Sequence, residues 1–298
     1  MLTQRRKVRD EFLLFFPLRL GVLCARLMTI DRTAIMSGKI IRLSSLFPGG
    51  NNAVVVAMDH GQTFGPMPGL VDFTAAAERL KEADGVLMAP LMIRFAGTLY
   101  QGRGSPAVIA RLNWNTIHCE PWGYQEAHIV KAISVEAAVA AGAEIVLASL
   151  VLKTGSQEHD ARNVQVFSGL VEESDRLGIP LIGEVFPSGD LRSRPDEFHD
   201  YVKKTCRIIC EMGADAIKTF YTGERFAEVT GGVPIPVFAL GAEKFESEFD
   251  ALQLAHNAVS AGARGVVFGR NVVQADDPAR FLRSLKDVVQ HGGLATRC

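Results

Sequence analysis

Residues 213–223 read Gly-Ala-Asp-Ala-Ile-Lys-Thr-Phe-Tyr-Thr-Gly, and this stretch is the clearest guide to how the chain folds. Gly213 stands where an amphipathic helix must stop in a left-handed turn, and residues 216–219 then form a short apolar strand. Lys218 lies inside that strand. Burial disfavours an ammonium ion, so this amine could attack a carbonyl near neutral pH, although an ion-paired or snorkelling lysine gives the same pattern. The stretch therefore predicts a helix-to-strand junction that carries a candidate Schiff-base nucleophile.

The same junction recurs from residue 53 onward, where short apolar runs alternate with longer amphipathic stretches. The predicted strands are 53–58, 85–89, 108–112, 145–151, 181–185, 216–219, 237–239 and 265–268. The predicted helices are 73–81, 127–141, 162–177, 198–212, 249–261 and 278–289. Eight such units in about 250 residues predict an α/β fold, a single (β/α)8 TIM barrel. A doubly wound open sheet is the alternative, but no GxGxxG motif follows the first strand.

The composition excludes several classes of protein. The chain has 298 residues, 48% apolar and 22% charged, with a net charge of −1. It can bury a large core, and its charge balance indicates neither a nucleic-acid partner nor an anionic membrane. The five cysteines lack zinc-type spacing and are interpreted as reduced thiols of a cytoplasmic protein. We expect no cofactor and no metal.

Residues 1–35 differ from the rest of the chain. Basic residues precede an interrupted apolar run that is too short to span a bilayer and lacks a clean cleavage site. We interpret 1–35 as an N-terminal extension outside the barrel, disordered or translated from an over-early start, and keep a targeting role as the alternative. Residues 36–298 are predicted to form the barrel domain.

Polar residues follow several predicted strands, where a barrel of this kind places its active site. Asp59 follows the first strand and should face the same pocket as Lys218, as a structural acid, an ion-pair partner or a proton-transfer group. Glycines after strands seven and eight predict a phosphate site, with Arg270 as a clamp. Lys153 is a further catalytic candidate. Ser156 and Glu184 are candidates for binding the substrate, and Gly241, Ala242 and Gly269 for binding the phosphate.

The histidines carry no metal-ligand spacing. By the two-residue alternation of a strand, His60 should point away from Asp59, as a packing or supporting group. The others are interpreted as surface groups: His118, His128, His159, His199 and His256.

Three motifs together carry a family resemblance. Val-Val-Val-Ala-Met-Asp-His-Gly at 54–61, the lysine strand at 214–223 and Gly-Val-Val-Phe-Gly-Arg-Asn-Val at 265–272 resemble the archaeal-type class I fructose-bisphosphate aldolases. That family also holds the autoinducer-2 phosphonooxypentanedione thiolase and the aminodideoxyheptulosonate synthases. The resemblance covers roughly residues 37–290, in order.

The resemblance implies that Lys218 forms an imine with a ketone and that Asp59 assists proton transfer. It also implies that Gly241, Ala242, Gly269 and Arg270 hold a phosphate. Two positions depart from the family pattern. Lys153 replaces the usual tyrosine acid/base, and would either add a second amine to the pocket or bind a second anionic group. Ala242 replaces a glycine and should crowd the phosphate loop.

The leading hypothesis is a metal-independent class I aldolase acting on a phosphorylated ketose or related keto compound. One alternative is an acetyl-transferring thiolase that uses coenzyme A, and another is a non-catalytic sugar-phosphate-binding barrel. The resemblance also implies a ring-shaped homo-oligomer.

Overall fold

The structure is a computed structural model that describes residues 32–102, 104–124 and 126–293. The strands in these ranges are β1 (Ala53–Ala57), β2 (Gly85–Met88), β3 (Ala107–Arg111), β4 (Asn113–Asn115), β5 (Ile129–Lys131), β6 (Ile145–Leu150), β7 (Leu181–Val185), β8 (Ala216–Phe220), β9 (Val237–Leu240) and β10 (Gly265–Phe268). Eight of them pair in parallel around a closed ring, in the order β1-β2-β3-β6-β7-β8-β9-β10. The predicted (β/α)8 barrel is confirmed, and each predicted barrel strand is present to within one residue at either end.

Helices alternate with these strands on the outside of the ring. They are α1 (Arg32–Ser44), α2 (Gly61–Phe64), α3 (Phe73–Glu78), α4 (Ile93–Ala96), α5 (Val135–Ala140), α6 (Gln157–Leu177), α7 (Pro195–Glu211), α8 (Phe226–Thr230), α9 (Glu248–Ser260), α10 (Arg270–Val273) and α11 (Pro278–His291). Short 3₁₀ turns occupy Pro48–Gly50, Pro90–Met92, Thr116–His118, Glu120–Trp122 and Leu191–Ser193. The turn predicted at Gly213 has a φ of 100°, and Gly142 and Gly262, which stand at the same kind of helix-to-strand junction, have φ values of 112° and 93°.

The prediction of one helix over 127–141 is wrong in its first half. Residues of β5 pair antiparallel with β4 instead, so only α5 remains helical. The alternation of buried Ile129 and exposed Val130 follows the two-residue period of a strand with one face covered. Both residues are β-branched, which favours the extended conformation.

The core has two layers. One lies between the strands and the surrounding helices, and the other fills the inside of the ring with side chains such as Val55, Ile109 and Phe238. Leu46, just after α1, is fully buried in that inner layer, and Phe47 stacks on Phe238 with ring centroids 5.8 Å apart. The amino-terminal end of the barrel is therefore plugged by apolar side chains.

The predictions for residues 1–31, including the targeting alternative, concern residues outside the described ranges, and Cys24 and Cys298 also lie outside them. Residues 32–35 belong to α1, which continues into the predicted barrel domain. Across the described ranges, no helix is both long and apolar enough to cross a membrane.

Candidate active site

A cavity of about 780 Å³, part of it open to solvent, lies at the carboxyl ends of the barrel strands. Polar side chains in it continue the inward-facing rows of the ring. On β1 the row runs from Val55 through Ala57 to Asp59, and on β8 it runs from Ala216 to Lys218. The same two-residue spacing places three more polar side chains inside the ring, those of Arg111, Ser149 and Glu184.

Lys218 and Glu184 form a close ion pair at the floor of this cavity. Lys218 Nζ lies 2.6 Å from Glu184 Oε1, and the two side chains are only 8% and 3% exposed. The two residues sit opposite each other in the parallel register of β7 and β8, which explains the contact. The amine therefore faces a carboxylate and opens onto the cavity.

Arg111 joins both acids of the site. Its Nη1 donates to Glu184 Oε2 at 2.8 Å and its Nη2 donates to Glu184 Oε1 at 3.1 Å. Its Nε donates to Asp59 Oδ2, and Nη1 also lies 2.8 Å from Ser149 Oγ, which itself donates to Glu184. Two cations and two carboxylates thus balance each other in a buried network.

The network fixes the ionisation of its acids. Burial alone would raise the pKa of Glu184, but the charges of Arg111 and Lys218 outweigh it and hold that pKa well below its usual range. Burial would likewise raise the pKa of Asp59, and the same two cations lower it. Burial opposes the charge of Arg111, yet the two carboxylates raise the pKa of its guanidinium. Both acids are carboxylates at neutral pH.

Two histidines line the cavity, contrary to the sequence prediction for them. His60 belongs to a helical turn, with φ −58° and ψ −33°, so the strand alternation does not apply and its ring faces the cavity. His118 packs edge-on against Phe186 at 4.4 Å, so the surface assignment is wrong for it. It is also wrong for His199, which is buried and bonds Thr222 Oγ1 at 2.8 Å.

Both cavity histidines are neutral at pH 7. Burial lowers the pKa of His60 to about 4, and Asp59 only partly offsets it. Burial also lowers the pKa of His118 to about 4 against the opposing charge of Glu184. His60 Nδ1 and His118 Nε2 are buried and make no hydrogen bond within the described residues.

The loops after β9 and β10 meet on one side of the cavity, where Gly241, Ala242, Gly269 and Arg270 all contribute to its lining. Buried Asn271 ties the loops together: its Nδ2 donates to the carbonyl oxygens of Gly241 at 2.8 Å and Glu243 at 2.9 Å.

Two of these loop positions have no room for an added side chain. A Cβ on Gly269 would stand 2.2 Å from the His60 ring, and one on Gly241 would stand 2.8 Å from the Phe268 ring. Ala242 has a φ of 50°, a left-handed conformation that favours glycine. Arg270 Nη2 donates to Ala242 O at 3.1 Å, while its buried Nε makes no hydrogen bond within the described residues.

Lys153 and Ser156 lie apart from this cavity. Lys153 is exposed, has a φ of 58°, and donates its backbone N–H to Asp160 Oδ2 at 3.0 Å. Ser156 caps α6, since its Oγ accepts from His159 N at 3.3 Å. No tyrosine is among the described residues that line the cavity.

Four cavity or loop residues were missed from the sequence: Arg111, His118, Arg192 and Asn271. Arg111 carried a usable signal, because a charge inside an apolar strand is the same feature that marked Lys218. Arg192 stands at the cavity mouth, where it lies 5.2 Å over the Phe220 ring and pairs with Glu243 at 3.0 Å. Only the folded loop after β7 brings it there.

A barrel with a buried lysine at its carboxyl end, acids around it and glycine loops beside it has the arrangement that Schiff-base barrel enzymes use. The sequence profile of the DeoC/LacD family aldolases matches residues 53–275, and the chain belongs to that family. Family membership makes the protein an enzyme of the lyase class.

Individual relatives agree with this placement. An uncharacterized aldolase of Saccharolobus solfataricus is 32% identical over 261 residues, covering 85% of this chain and 95% of that protein. The 3-hydroxy-5-phosphonooxypentane-2,4-dione thiolase of Salmonella typhimurium is 29% identical, covering 86% and 84%.

Solved structures give the same answer. The crystal structure of an archaeal fructose 1,6-bisphosphate aldolase superposes with a TM-score of 0.72 at 26% identity, covering 85% of this chain and 98% of that one. An archaeal fructose-1,6-bisphosphate aldolase with its catalytic lysine bound to the carbinolamine intermediate superposes with a TM-score of 0.69 at 25% identity. That match covers 83% of this chain and 98% of the other.

Proposed function

We propose that the protein is a class I aldolase that forms an imine between Lys218 and a phosphorylated keto compound. The observation that carries the proposal is the buried Lys218 amine, which opens onto the cavity 2.6 Å from the Glu184 carboxylate. Burial excludes water from the amine, and the carboxylate orients it. The archaeal aldolase with a lysine-bound carbinolamine supports the assignment.

The chemistry needs no group beyond the chain and the substrate. Lys218 first passes a proton to the Glu184 carboxylate beside it, and the neutral Nζ attacks the carbonyl carbon. The carbonyl oxygen takes up a proton to give a carbinolamine, which loses its hydroxyl group as water when the iminium forms. A base removes the proton of the hydroxyl group on the carbon β to the iminium carbon, and the bond between the α and β carbons breaks. The aldehyde leaves, the bonding electrons form an enamine, and protonation and hydrolysis of the enamine release the second product.

Glu184 is suited to move a proton beside the amine. In the free enzyme two cations keep its pKa low, but the carbinolamine nitrogen is neutral, so one of those cations is lost at that stage. The proton affinity of Glu184 then rises where the departing hydroxyl must receive a proton. Asp59, held by Arg111 on the other side, is the second candidate for proton transfer, as predicted.

The phosphate is assigned to the loops after β9 and β10. Gly269 and Arg270 open the short helix α10, and Arg270 carries a buried Nε that makes no hydrogen bond within the described residues. Arg192 at the mouth can meet a second anionic group of the substrate, which is one of the two roles predicted for Lys153. The neutral His60 and His118 are placed to bond substrate hydroxyls.

Borohydride trapping tests the proposal. The full-length protein is incubated with dihydroxyacetone phosphate and a panel of phosphorylated ketoses, reduced with borohydride, and analysed by intact mass and peptide mapping. We expect one adduct per chain, on Lys218, and none in Lys218→Ala. Lys153→Ala is the matched control and should still be trapped.

An adduct that persists in Lys218→Ala and disappears in Lys153→Ala would overturn the assignment of the nucleophile. Failure to trap any ketone, with binding of the same compounds retained, would favour the non-catalytic sugar-phosphate barrel.

A second candidate function is acyl transfer to coenzyme A. The Salmonella relative, named a 3-hydroxy-5-phosphonooxypentane-2,4-dione thiolase, favours it. The two functions separate in a product assay, because a thiolase needs a thiol acceptor and an aldolase releases an aldehyde without one.

The assembly, location and N-terminal boundary are also proposals. By analogy with the family we propose a cytoplasmic homo-oligomer with 36–298 as the barrel domain and 1–35 as an extension outside it. Light scattering of the full chain and of a chain beginning at Met36 tests the assembly and the extension together. A monomer, or loss of folding without 1–35, would contradict the proposal.

A further inference from the structure

We propose that Glu126, His128 and His159 form a binding site for a divalent transition-metal ion, with Zn²⁺ as the best match. Each offers one ligand atom, and these three atoms lie within 4.8 Å of one another. None of the three lines the cavity that holds Lys218. The site is therefore separate from the Schiff-base chemistry, and it departs from the sequence expectation that the histidines lack metal-ligand geometry.

The spacing of the three atoms suits a tetrahedral ion after small side-chain movements. His128 Nε2 and Glu126 Oε2 are 2.7 Å apart, a hydrogen-bond distance. Zinc bonds of about 2.0–2.1 Å in a tetrahedron place neighbouring ligand atoms about 3.3 Å apart. The His128–Glu126 pair must open slightly, and His159 must approach, to reach that arrangement. The rings of His128 and His159 already lie against each other, with centroids 4.1 Å apart.

Two of the ligands, Glu126 and His128, come just before β5 in the β4–β5 hairpin, and hydrogen bonds hold their backbone in place. Thr116 Oγ1 donates to the carbonyl oxygen of Glu126 and accepts from His128 N at 2.8 Å. Thr116 N also donates to His128 O at 3.1 Å. Because both backbones are fixed, ion binding has to order only the side chains.

The helix that carries His159 is anchored to the same segment. Asn163, one turn further along α6, is fully buried, and its Nδ2 donates to Ala127 O at 3.0 Å. Its Oδ1 accepts from Ile129 N at 3.1 Å. These bonds clamp the residues on either side of His128 to the helix. The backbone that carries the three ligands is therefore held together without a bound ion.

The donor set favours a transition metal over calcium or magnesium. Two imidazoles and one carboxylate match zinc and its neighbours, whereas the hard cations prefer oxygen ligands alone. His159 lies in the first turn of α6, where the helix dipole opposes a cation. Glu158 and Asp160 in the same turn offset that opposition. Three protein ligands leave one position for water.

The test is a zinc titration of the full-length chain, stripped with EDTA and kept reduced, by isothermal calorimetry. We expect one zinc per chain, and a loss of affinity of about 10–100-fold in His128→Ala and in His159→Ala. Glu126→Gln should lose about ten-fold; Glu126 is exposed, so this variant keeps the test valid if a histidine variant misfolds. His291→Ala, an exposed histidine on α11, is the matched control and should bind like the parent.

A second readout is thermal. Zinc should raise the melting temperature of the parent and of His291→Ala, but not that of His159→Ala, because only an ion bound to the folded state stabilises it. Absence of binding in the parent would overturn the proposal, and so would equal affinity in all four variants, which would place the ion on the cysteines or elsewhere. Borohydride trapping on Lys218 should proceed with or without zinc.

Discussion

The two ends of the barrel both bury ionised side chains, but they satisfy them in different ways. At the amino-terminal end, Asp84 and Asp215 each precede a strand and each accept a backbone N–H from the neighbouring strand. Asp84 accepts from Val54 N, Lys286 Nζ and Gln290 Nε2, at 2.8, 2.8 and 3.2 Å. Asp215 accepts from Leu181 N and Lys39 Nζ, both at 2.8 Å.

At the carboxyl end the charges also balance, yet several polar atoms remain without a hydrogen bond among the described residues. They include His60 Nδ1, His118 Nε2 and Arg270 Nε. The two non-glycine residues with positive φ in the described ranges, Lys153 and Ala242, follow strands at this end as well. The comparison teaches that Asp84 and Asp215 are bonded within the chain at the end that supports stability, whereas open bonds and strained φ angles lie at the end where a substrate binds.

The strongest test of this functional difference between the two ends of the barrel is to neutralise one acid at each end. Glu184→Gln should lower kcat on the order of 10²–10³-fold, because it removes the charged acceptor that orients Lys218. Asp84→Asn should leave kcat within about two-fold and lower only the free energy of unfolding, by roughly 1–3 kcal/mol. Steady-state kinetics and urea unfolding measure both effects.

Equal losses of kcat in the two variants would mean that the ends are not functionally distinct. A Glu184→Gln enzyme with normal kcat would move the proton-transfer role to Asp59.

The second prediction concerns pH. The folded pKa of His60 and of His118 is about 4, below the unfolded value near 6.5. The unfolded chain therefore binds more protons between these values, so the stability these groups contribute is complete above pH 6.5 and is lost as pH falls toward 4. We expect a loss on the order of 1–3 kcal/mol for each histidine across that window.

Urea unfolding from pH 7 to pH 4 measures this slope. His60→Gln and His118→Gln should each flatten it, and the exposed His291→Gln should not. A slope unchanged in the double variant would assign the acid sensitivity to carboxylates elsewhere.

The smallest expected effect tests whether the backbone of the loop after β9 is strained. Ala242→Gly relieves a left-handed φ of 50° and should leave stability unchanged or raise it by up to about 1 kcal/mol. Ala227→Gly, at an exposed position in α8, should lower stability by about 0.5–1 kcal/mol. The same sign and size in both would show that the loop after β9 carries no strain. Thermal unfolding of both variants makes the measurement.

The fold could be predicted because a buried parallel strand has a recognisable sequence pattern, an apolar run that follows a glycine turn. The β4–β5 pair escaped because its strands are three residues each, too short for a period to appear beside the helical pattern of 135–140. Placing Asp59, Glu184 and Lys218 together was possible because carboxyl ends of barrel strands converge.

The partners inside the site were harder to predict. The contact between Lys218 and Glu184 depends on the register in which β7 and β8 pair, and this register cannot be predicted from the sequences of the two strands. Lys153 follows β6 by spacing, yet the turn at φ 58° leaves its side chain exposed. His118 reaches the cavity from a 3₁₀ turn after β4, by a path that only the folded loop defines. Loop geometry therefore decided most of what the sequence missed.

The apolar plug formed by Leu46 and Phe47 at the amino-terminal end has a kinetic meaning. With that end closed, the opening of the cavity at the carboxyl ends of the strands serves as the doorway for ligands, and the Lys218 side chain behind it is only 8% exposed. In an aldol cleavage the fragment nearer the doorway must depart before the lysine-bound fragment can follow. In the condensation direction the ketone must enter before the aldehyde. The closed end thereby reinforces a compulsory order for the aldehyde, last in and first out, that the proposed imine chemistry also requires.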